Sequence, residues 1–248
     1  MAPLGLAPKT QHRYSFLDKD KIEAEKQTYK SDKDNKKNAV GNENDDPKEE
    51  KEEVEPAFVS TNDIVTSWFL QQTQCTFGFM AVNFRNRLEG HTHQHAGNYE
   101  HVIFYYPPDY ETPQRIRKSH TGFYESEKHD KQDATTTTTE NTGETFVWKR
   151  AVTLSTTSVP SFACHANKHT HWALVTNWSS FAQDANLPQC VEELHAPLLT
   201  TTTTANNLSL GILFRVGPNN QKALLALGNA KVMKRLRDNA ILEKVEAK

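Results

Sequence analysis

Apolar residues recur along this chain at helical and at alternating spacings, and together they predict a definite order of helices and strands. Ser60 and Asp63 have the residue types of a helix N-cap and first turn. The apolar face of the helix that follows them consists of Ile64, Val65, Trp68 and Phe69. Short apolar runs predict strands over residues 77–84, 101–106, 146–154 and 172–178. Strict alternation from Leu208 to Val216, a turn at 217–220 and the run Ala223 to Leu227 predict a hairpin.

Three further helices follow from capping residues. Asp18 is placed to cap a helix that buries Ile22, after an apolar patch at 14–17. Thr112 and Pro113 suit the start of a helix over 114–119, and Asn229 suits the cap of the last helix. The predicted apolar face of that last helix is Val232, Met233, Leu236, Ala240 and Ile241. The order predicts an α/β fold, a mixed sheet layered with helices.

Composition divides the chain into three parts. Residues 1–30 form a short strand and helix segment, and 31–56 form a charged linker that we expect to be disordered because it holds too little apolar surface. Residues 57–248 form the main lobe, with low-complexity loops at 125–145 and 199–207 that contain runs of threonine.

Charge and cysteine content narrow the classes of partner and compartment. The formal net charge is −2, the mean hydropathy is −0.74, and no basic excess suggests nucleic acid binding. No apolar run is long enough for a membrane span. Three cysteines without CxxC spacing predict reduced thiols and a cytoplasmic protein, and neither Cys75 nor Cys190 has a histidine nearby that would make it a nucleophile.

A polar motif follows the first central strand. Asn83, Arg85 and Arg87 form Asn-x-Arg-x-Arg, and Gly97-Asn98 opens the next strand after a histidine-rich loop. Arginines just past a strand usually pair with a carboxylate, and Gly-Asn suits a tight turn.

This order resembles the second half of the chloramphenicol-acetyltransferase-like fold, best known from BAHD-type CoA-dependent acyltransferases. The helix from Ser60 to Phe69 is similar to the first helix of that half. Asn83, Arg85 and Arg87 match its N-x-R-x-R strand end, Gly97 and Asn98 its Gly-Asn step, and Thr176 to Trp178 its T-S-W strand. The closing hairpin and helix, 208–243, and even the segment 14–26 fit the same pattern.

The resemblance implies transfer of an acyl group from acyl-CoA, as co-substrate, to a hydroxyl or amine. In the family the general base is the histidine of HHxxxDG in the other half. The one bare match here, His129 to Asp133, lies in polar low-complexity sequence and is interpreted as chance. The family's DFGWG loop, whose aspartate bonds an arginine, is not found, so Asp184 is the candidate partner of Arg85 or Arg87. Asn177 and Trp178 are further candidates for structural residues or for the substrate channel that the resemblance implies. The chain is thus expected to be inactive without a missing N-terminal lobe.

Two other classes stay open. The chain could be a non-enzymatic remnant that acts as a binding module or self-associates. It could also be a histidine-rich metal protein, since His91, His93 and His95 alternate and Cys164, His165, His169 and His171 form a second cluster. The structural alternatives are a polar loop and a solvated strand edge for these histidines, and core packing for Trp68, Trp148, Trp172 and Trp178. A solvated face is expected for the basic strip Lys231, Lys234, Arg235 and Arg237.

Overall fold

The structure is a computed structural model of the chain. It describes residues 10–39, 56, 58–83, 94, 100–125, 171–180, 188–189, 196–197, 207–217, 221–237 and 241–243. The strands are β1 (Gln11–Phe16), β2 (Phe77–Asn83), β3 (Glu100–Tyr105), β4 (Trp172–Asn177), β5 (Leu208–Val216) and β6 (Gln221–Gly228). The helices of the described residues are α1 (Lys19–Ala39), α2 (Thr61–Thr73), α3 (Pro113–Glu125) and α4 (Ala230–Arg237), with a 3-10 turn at Pro107–Tyr110. None of these helices has both the length and the apolar character that crossing a membrane requires.

The six strands form one mixed sheet in the order β1-β6-β5-β4-β2-β3. β4 runs parallel to both of its neighbours, β2 and β5. The pairs β1–β6, β5–β6 and β2–β3 are antiparallel. Consequently β1, β2, β4 and β5 all finish at one end of the sheet, which we call its carboxyl end; the other is its amino end. The predicted α/β class with a mixed sheet is confirmed.

All four described helices pack on the same face of the sheet. Their apolar residues join those of alternate strand positions in one core, and α2 contacts each of the other three helices. The opposite face carries two smaller apolar clusters. One of these clusters contains five aromatic residues: Phe77, Phe79, Phe104, Tyr106 and Trp172. The Trp172 ring stacks on Phe77, with 5.2 Å between ring centroids, and on Phe79, with 5.3 Å between them.

Helix α2 lies unusually close to the sheet because two strands present glycine beneath it. A Cβ atom at Gly78 of β2 would lie 2.7 Å from Leu70 Cδ1, and one at Gly211 of β5 would lie 3.2 Å from the Phe69 ring. Phe69 and Leu70 are both fully buried. The absence of a side chain at these positions therefore sets the distance between α2 and the central strands.

The start of α2 confirms the capping pattern read from the sequence. Asp63 N donates to Ser60 Oγ at 3.3 Å, and Ser60 N donates to Asp63 Oδ2 at 2.7 Å, which completes a capping box. The Asp63 carboxylate is buried and lies 3.7 Å from the Arg117 guanidinium of α3. Arg117 also lies 4.0 Å from the Phe58 ring centroid, so the beginning of α2 is tied to α3.

Several other local predictions are confirmed. Asn229 Oδ1 accepts a hydrogen bond from Val232 N at 3.0 Å, Thr112 Oγ1 accepts one from Arg115 N at 3.4 Å, and Asp18 Oδ1 accepts one from Lys21 N at 3.2 Å. The β5–β6 hairpin forms in the expected place, and Gly217 opens its turn with φ of 56°. The predicted strand over 146–154 and the threonine-rich loops lie outside the described residues, apart from Glu125, which ends α3, and Asn207, which precedes β5.

Two boundaries are corrected. Helix α1 continues through Ala39, so the linker expected from residue 31 is wrong for 31–39. Residues 19–30 are mostly good helix formers and carry the bond from Lys26 Nζ to Glu23 Oε1 at 2.6 Å, and extending a formed helix through 31–39 is easier than starting a new one. At the other end, α4 stops at Arg237 in the described residues, so Ile241 lies in a turn and not on the helix. The turn is held because Leu242 bridges to Leu17.

The close approach of α2 gives a stability prediction. Gly211→Ala should destabilise the fold by about 1 kcal/mol, because overpacking against a buried ring costs about 1–3 kcal/mol and the lower entropy of the unfolded chain offsets roughly 0.4–1 kcal/mol of it. Urea denaturation measures the change. In a Phe69→Leu background the same substitution should cost less, since the ring is gone. An equal cost in both backgrounds would contradict the contact.

Candidate functional site

The candidate site lies at the carboxyl end of the sheet, where the neighbouring parallel strands β2 and β4 finish. Asn83 is the last residue of β2, and Asn177 is the last residue of β4. The carboxyl ends of parallel strands are a common place for ligand sites in α/β proteins, because polar residues beyond the strand ends meet there. The fold thus brings Asn83, Asn177 and Trp178 to the same end of adjacent strands.

A short turn fixes the geometry of Asn177 and Trp178. Asn177 Oδ1 accepts hydrogen bonds from Ser179 N at 2.9 Å and Ser179 Oγ at 2.6 Å. Trp178 N donates to Leu213 O of β5 at 2.7 Å, so the backbone stays attached to the sheet just beyond β4. This backbone arrangement holds the indole in place while leaving it 38% exposed.

The burial of the tryptophans corrects the expectation of core packing for one of them and agrees with it for two others. Core packing was predicted for every tryptophan, and that is wrong for Trp178 because its strand has already ended and no helix covers it among the described residues. Trp68 is buried in the helix-side core, and Trp172 packs against Phe77 and Phe79. Trp148 lies outside the described residues.

The remaining site candidates are not placed by the structure. Arg85, Arg87, Gly97, Asn98 and Asp184 lie outside the described residues, so the pairing of an arginine with Asp184 stays a prediction. Asn83 itself is half-buried, and its Cα partner on β3 is Glu100.

Two cations at the carboxyl end were missed by the sequence analysis. Arg215, next to the end of β5, and Lys222, near the start of β6, are direct cross-strand partners. Burial lowers the pKa of Lys222, Lys26 lowers it further, and Glu23 raises it. The hairpin register was the signal that could have found this pair, because it follows once the turn at 217–220 is aligned.

The amino end of the sheet carries a different polar cluster around the last turn of α2. His171 Nε2 and Ser209 Oγ are 2.9 Å apart, and Arg235 Nη1 donates to Gln72 O at 2.9 Å and to Thr73 O at 3.2 Å. The guanidinium thus binds the free carbonyls at the negative end of the helix. Arg235 is therefore structural, which corrects the expectation of a fully solvated basic strip; Lys231, Lys234 and Arg237 are exposed.

The described histidine and cysteine side chains lie away from the carboxyl end of the sheet. The two histidine side chains that the structure describes, His12 and His171, lie toward the amino end. Burial raises the pKa of the Cys75 thiol to about 11, which keeps it protonated and a poor nucleophile. Burial also raises the pKa of Tyr105, which is paired with Ser119 Oγ at 2.9 Å. Asn83, Asn177 and Trp178 can bind and orient a ligand, but their side chains do not accept a proton near neutral pH.

Within the part of the chain that the structure covers, no three histidine, cysteine or acidic residues are grouped as metal ligands would be. His171 is the one member of the two predicted clusters that is described, and its ring is hydrogen-bonded to Ser209. The other cluster members, His91, His93, His95, Cys164, His165 and His169, lie outside the described residues, so the metal hypothesis stays a prediction.

Comparisons with known proteins show a structural likeness and no match in sequence. No protein-family model matches the chain, and no curated protein matches it. Among solved structures it is similar to the TRI101 protein of F. sporotrichioides in complex with coenzyme A and T-2, with a TM-score of 0.47 and 11% sequence identity. The alignment covers 98% of this chain and 53% of that chain, so this chain spans about half the length of that protein. At this TM-score and identity, the likeness assigns neither an activity nor a ligand.

The cluster at the amino end predicts a pH dependence of stability. Burial holds the pKa of His171 below its ordinary value of 6.5, so the unfolded chain binds a proton more readily than the folded one. Stability should be complete above about pH 6.5 and fall as the pH drops through the folded-state pKa. Urea denaturation between about pH 5 and 7.5 measures this slope, which should flatten in His171→Gln. The exposed His12→Gln is the matched control, and equal slopes in both variants would contradict the assignment.

Proposed function

We propose that this chain is the C-terminal lobe of a CoA-dependent acyltransferase of the chloramphenicol-acetyltransferase-like superfamily. The single observation that supports the proposal is that Asn83 and Asn177 are the last residues of two adjacent parallel strands, with Trp178 directly after Asn177. Asn83 belongs to the N-x-R-x-R motif, and Asn177 and Trp178 belong to the T-S-W strand, which is far away in the sequence. The superfamily resemblance makes residues of both motifs candidates for the substrate channel.

The order of elements supports the proposal further. Ser60 and Asp63 start the helix that leads into the strand ending at Asn83, and the chain later forms a parallel strand, a hairpin and a helix. Each of these pieces has its counterpart in the resemblance, in the same sequence. Strand β1 and helix α1 match the segment that precedes the superfamily's linker.

The chemistry of the described site defines what a second lobe would add. Acyl transfer requires a base that takes the proton from the acceptor hydroxyl or amine as it attacks the thioester carbon, with release of the CoA thiol. Amide and indole groups position a substrate but do not perform this step. We therefore propose that the reactive histidine comes from a lobe with HHxxxDG, and that this chain alone is inactive.

A binding module is the second candidate, and the exposed aromatic residues of β1 favour it. Tyr14 is 43% and Phe16 is 39% exposed, and both lie on an outer strand of the sheet. An outer strand with apolar side chains is a common surface for pairing with another chain. In this proposal the chain associates with itself or with another protein and catalyses nothing.

The activity prediction is tested with the chain alone and with a partner. With acetyl-CoA and a panel of alcohols and amines, the chain alone should release no CoA thiol above the protein-free rate. Together with a polypeptide from the same source that carries HHxxxDG, it should release thiol, and Trp178→Ala should lower that rate about tenfold or more by loosening substrate position. Phe58→Ala, which removes an aromatic ring that is 60% exposed and lies at the start of α2, is the matched control. Turnover by the chain alone would contradict the lobe proposal.

Self-association is tested by sedimentation velocity. At micromolar concentration the chain should sediment as a dimer or larger species, and Tyr14→Ser with Phe16→Ser should shift it toward monomer because the apolar surface of β1 is lost. Phe58→Ser should leave the profile unchanged. A single monomeric species for the unsubstituted chain would refute the binding-module candidate in its self-associating form.

A further inference from the structure

The outer edge of β1 is open over part of its length. β1 is an outer strand of the described sheet, and β6 is its neighbour on the inner side. Leu17 N donates to Lys222 O at 2.9 Å, so the odd-numbered residues of this strand direct their main-chain groups toward β6. The N–H and C=O groups of His12 and Tyr14 therefore point away from the sheet. Among the described residues, no hydrogen bond engages these main-chain groups.

The remaining part of this edge is already paired. Asp18 N donates to Ile241 O, and Glu243 N donates to Phe16 O, both at 3.0 Å. Residues 241–243 thus run antiparallel beside the end of β1. These bonds confirm that the even-numbered main-chain groups face outward, and they show that this edge accepts a paired segment. An outer strand with unpaired main-chain groups is a template for a further extended segment.

The helix-side face of the open stretch is positively charged. Arg13 is half-buried on this face, because it shares the parity of Leu17, which belongs to the helix-side core. α4 packs against β1 on the same face and exposes Lys231, Lys234 and Arg237. Neither β1 nor α4 contains an acidic residue, and no ion pair of the described residues involves Arg13. An acidic side chain opposite Arg13 would therefore stabilise an added strand.

The opposite face of the same stretch is aromatic. The Tyr14 ring lies edge-on to Phe214, with 6.3 Å between ring centroids, and its hydroxyl donates to Pro197 O at 2.8 Å. Both contacts hold the ring in place beside the open edge, although part of its surface is exposed. Phe16 follows on the same face and is also partly exposed. Apolar side chains of an added strand would pack against these rings.

We propose that the open edge of β1 binds an extended peptide in which acidic and apolar residues alternate. Successive side chains of a strand point to opposite faces of the sheet. The acidic residues would thus lie beside Arg13 and the apolar ones beside Tyr14, while main-chain hydrogen bonds to His12 and Tyr14 add the peptide as a further strand. This inference rests on the binding-module candidate, since it names the partner of that surface, and it does not depend on acyl transfer.

A second copy of the chain fits this edge less well. If two β1 strands paired antiparallel through His12 and Tyr14, the two Arg13 side chains would lie directly or diagonally opposite each other on one face. Like charges opposite each other destabilise a sheet. The α4 of each copy would bring further cations to the same face. Self-association through the exposed rings of Tyr14 and Phe16, which sedimentation tests, leaves the main-chain edge itself free.

Fluorescence anisotropy with the full chain tests the inference, and the probe is a labelled short peptide of alternating valine and glutamate. This peptide should bind, whereas the same peptide with lysine in place of glutamate should bind about tenfold or more weakly, because its charges face Arg13. A glutamate peptide methylated on the main-chain nitrogens that face β1 should also bind about tenfold more weakly, because it cannot donate to the edge. Equal binding of the glutamate and lysine peptides, or undiminished binding of the methylated peptide, would overturn the proposal.

Two pairs of variants locate the binding on β1. His12→Pro removes an outward N–H, and proline is tolerated on an outer strand where its nitrogen faces solvent, so the variant should keep its melting temperature. It should bind the glutamate peptide about tenfold more weakly, whereas His12→Gln, which retains the N–H, should bind like the unsubstituted chain. Arg13→Glu should remove most of the preference for glutamate over lysine. Arg115→Glu, on α3 beside α2 and the 3-10 turn, is the matched control and should retain that preference. Equal effects of the two charge reversals would contradict the placement.

The outcomes separate this inference from the proposed function. Failure of the glutamate peptide to bind sinks the edge inference, while self-association is still measured by sedimentation and acyl transfer by thiol release. A monomeric chain that binds the peptide refutes only the self-associating form of the binding module. Loss of self-association in His12→Pro, without peptide binding by the unsubstituted chain, would assign the edge to a second copy and overturn the acidic partner.

Discussion

The contact on which the rest of the structure depends is the close approach of α2 to the sheet. Glycine at 78 and 211 lets Leu70 and Phe69 rest against the backbone of β2 and β5. Because β4 lies between these two strands, one helix spans all three parallel neighbours. Close packing at that contact holds the three strands against one helix in a single packed layer.

Charged side chains hold both ends of α2 in place. The capping box at Ser60 and Asp63 connects its start to Arg117 of α3, while Arg235 of α4 binds the carbonyls at its last turn. His171 completes the second anchor through Ser209 of β5. The polar groups around the last turn of α2, at the amino end of the sheet, therefore hold helices in place. Candidate chemistry is left to the carboxyl end.

The parts of the fold that the sequence predicted well are those that depend on residues close together in the chain. Caps such as Asn229 act within one helical turn, and the alternation of 208–216 needs no knowledge of its neighbours. What failed depends on contacts between distant segments. The exposure of Trp178 follows from where β4 stops beside β5, and the role of Arg235 follows from α2 ending beneath it. Composition also misjudged 31–39, because charged residues favour both linkers and helices.

The carboxyl end of the sheet carries groups that can bind a ligand. The indole of Trp178 is exposed there, Asn177 ends β4, and Arg215 and Lys222 are cross-strand partners near the end of β5. Binding energy of this kind can hold a substrate in place, yet acceleration of acyl transfer also requires a group that takes up a proton in the transition state. In the proposed two-lobed enzyme, a second lobe placed against this end would supply that group, and this chain would position the substrate.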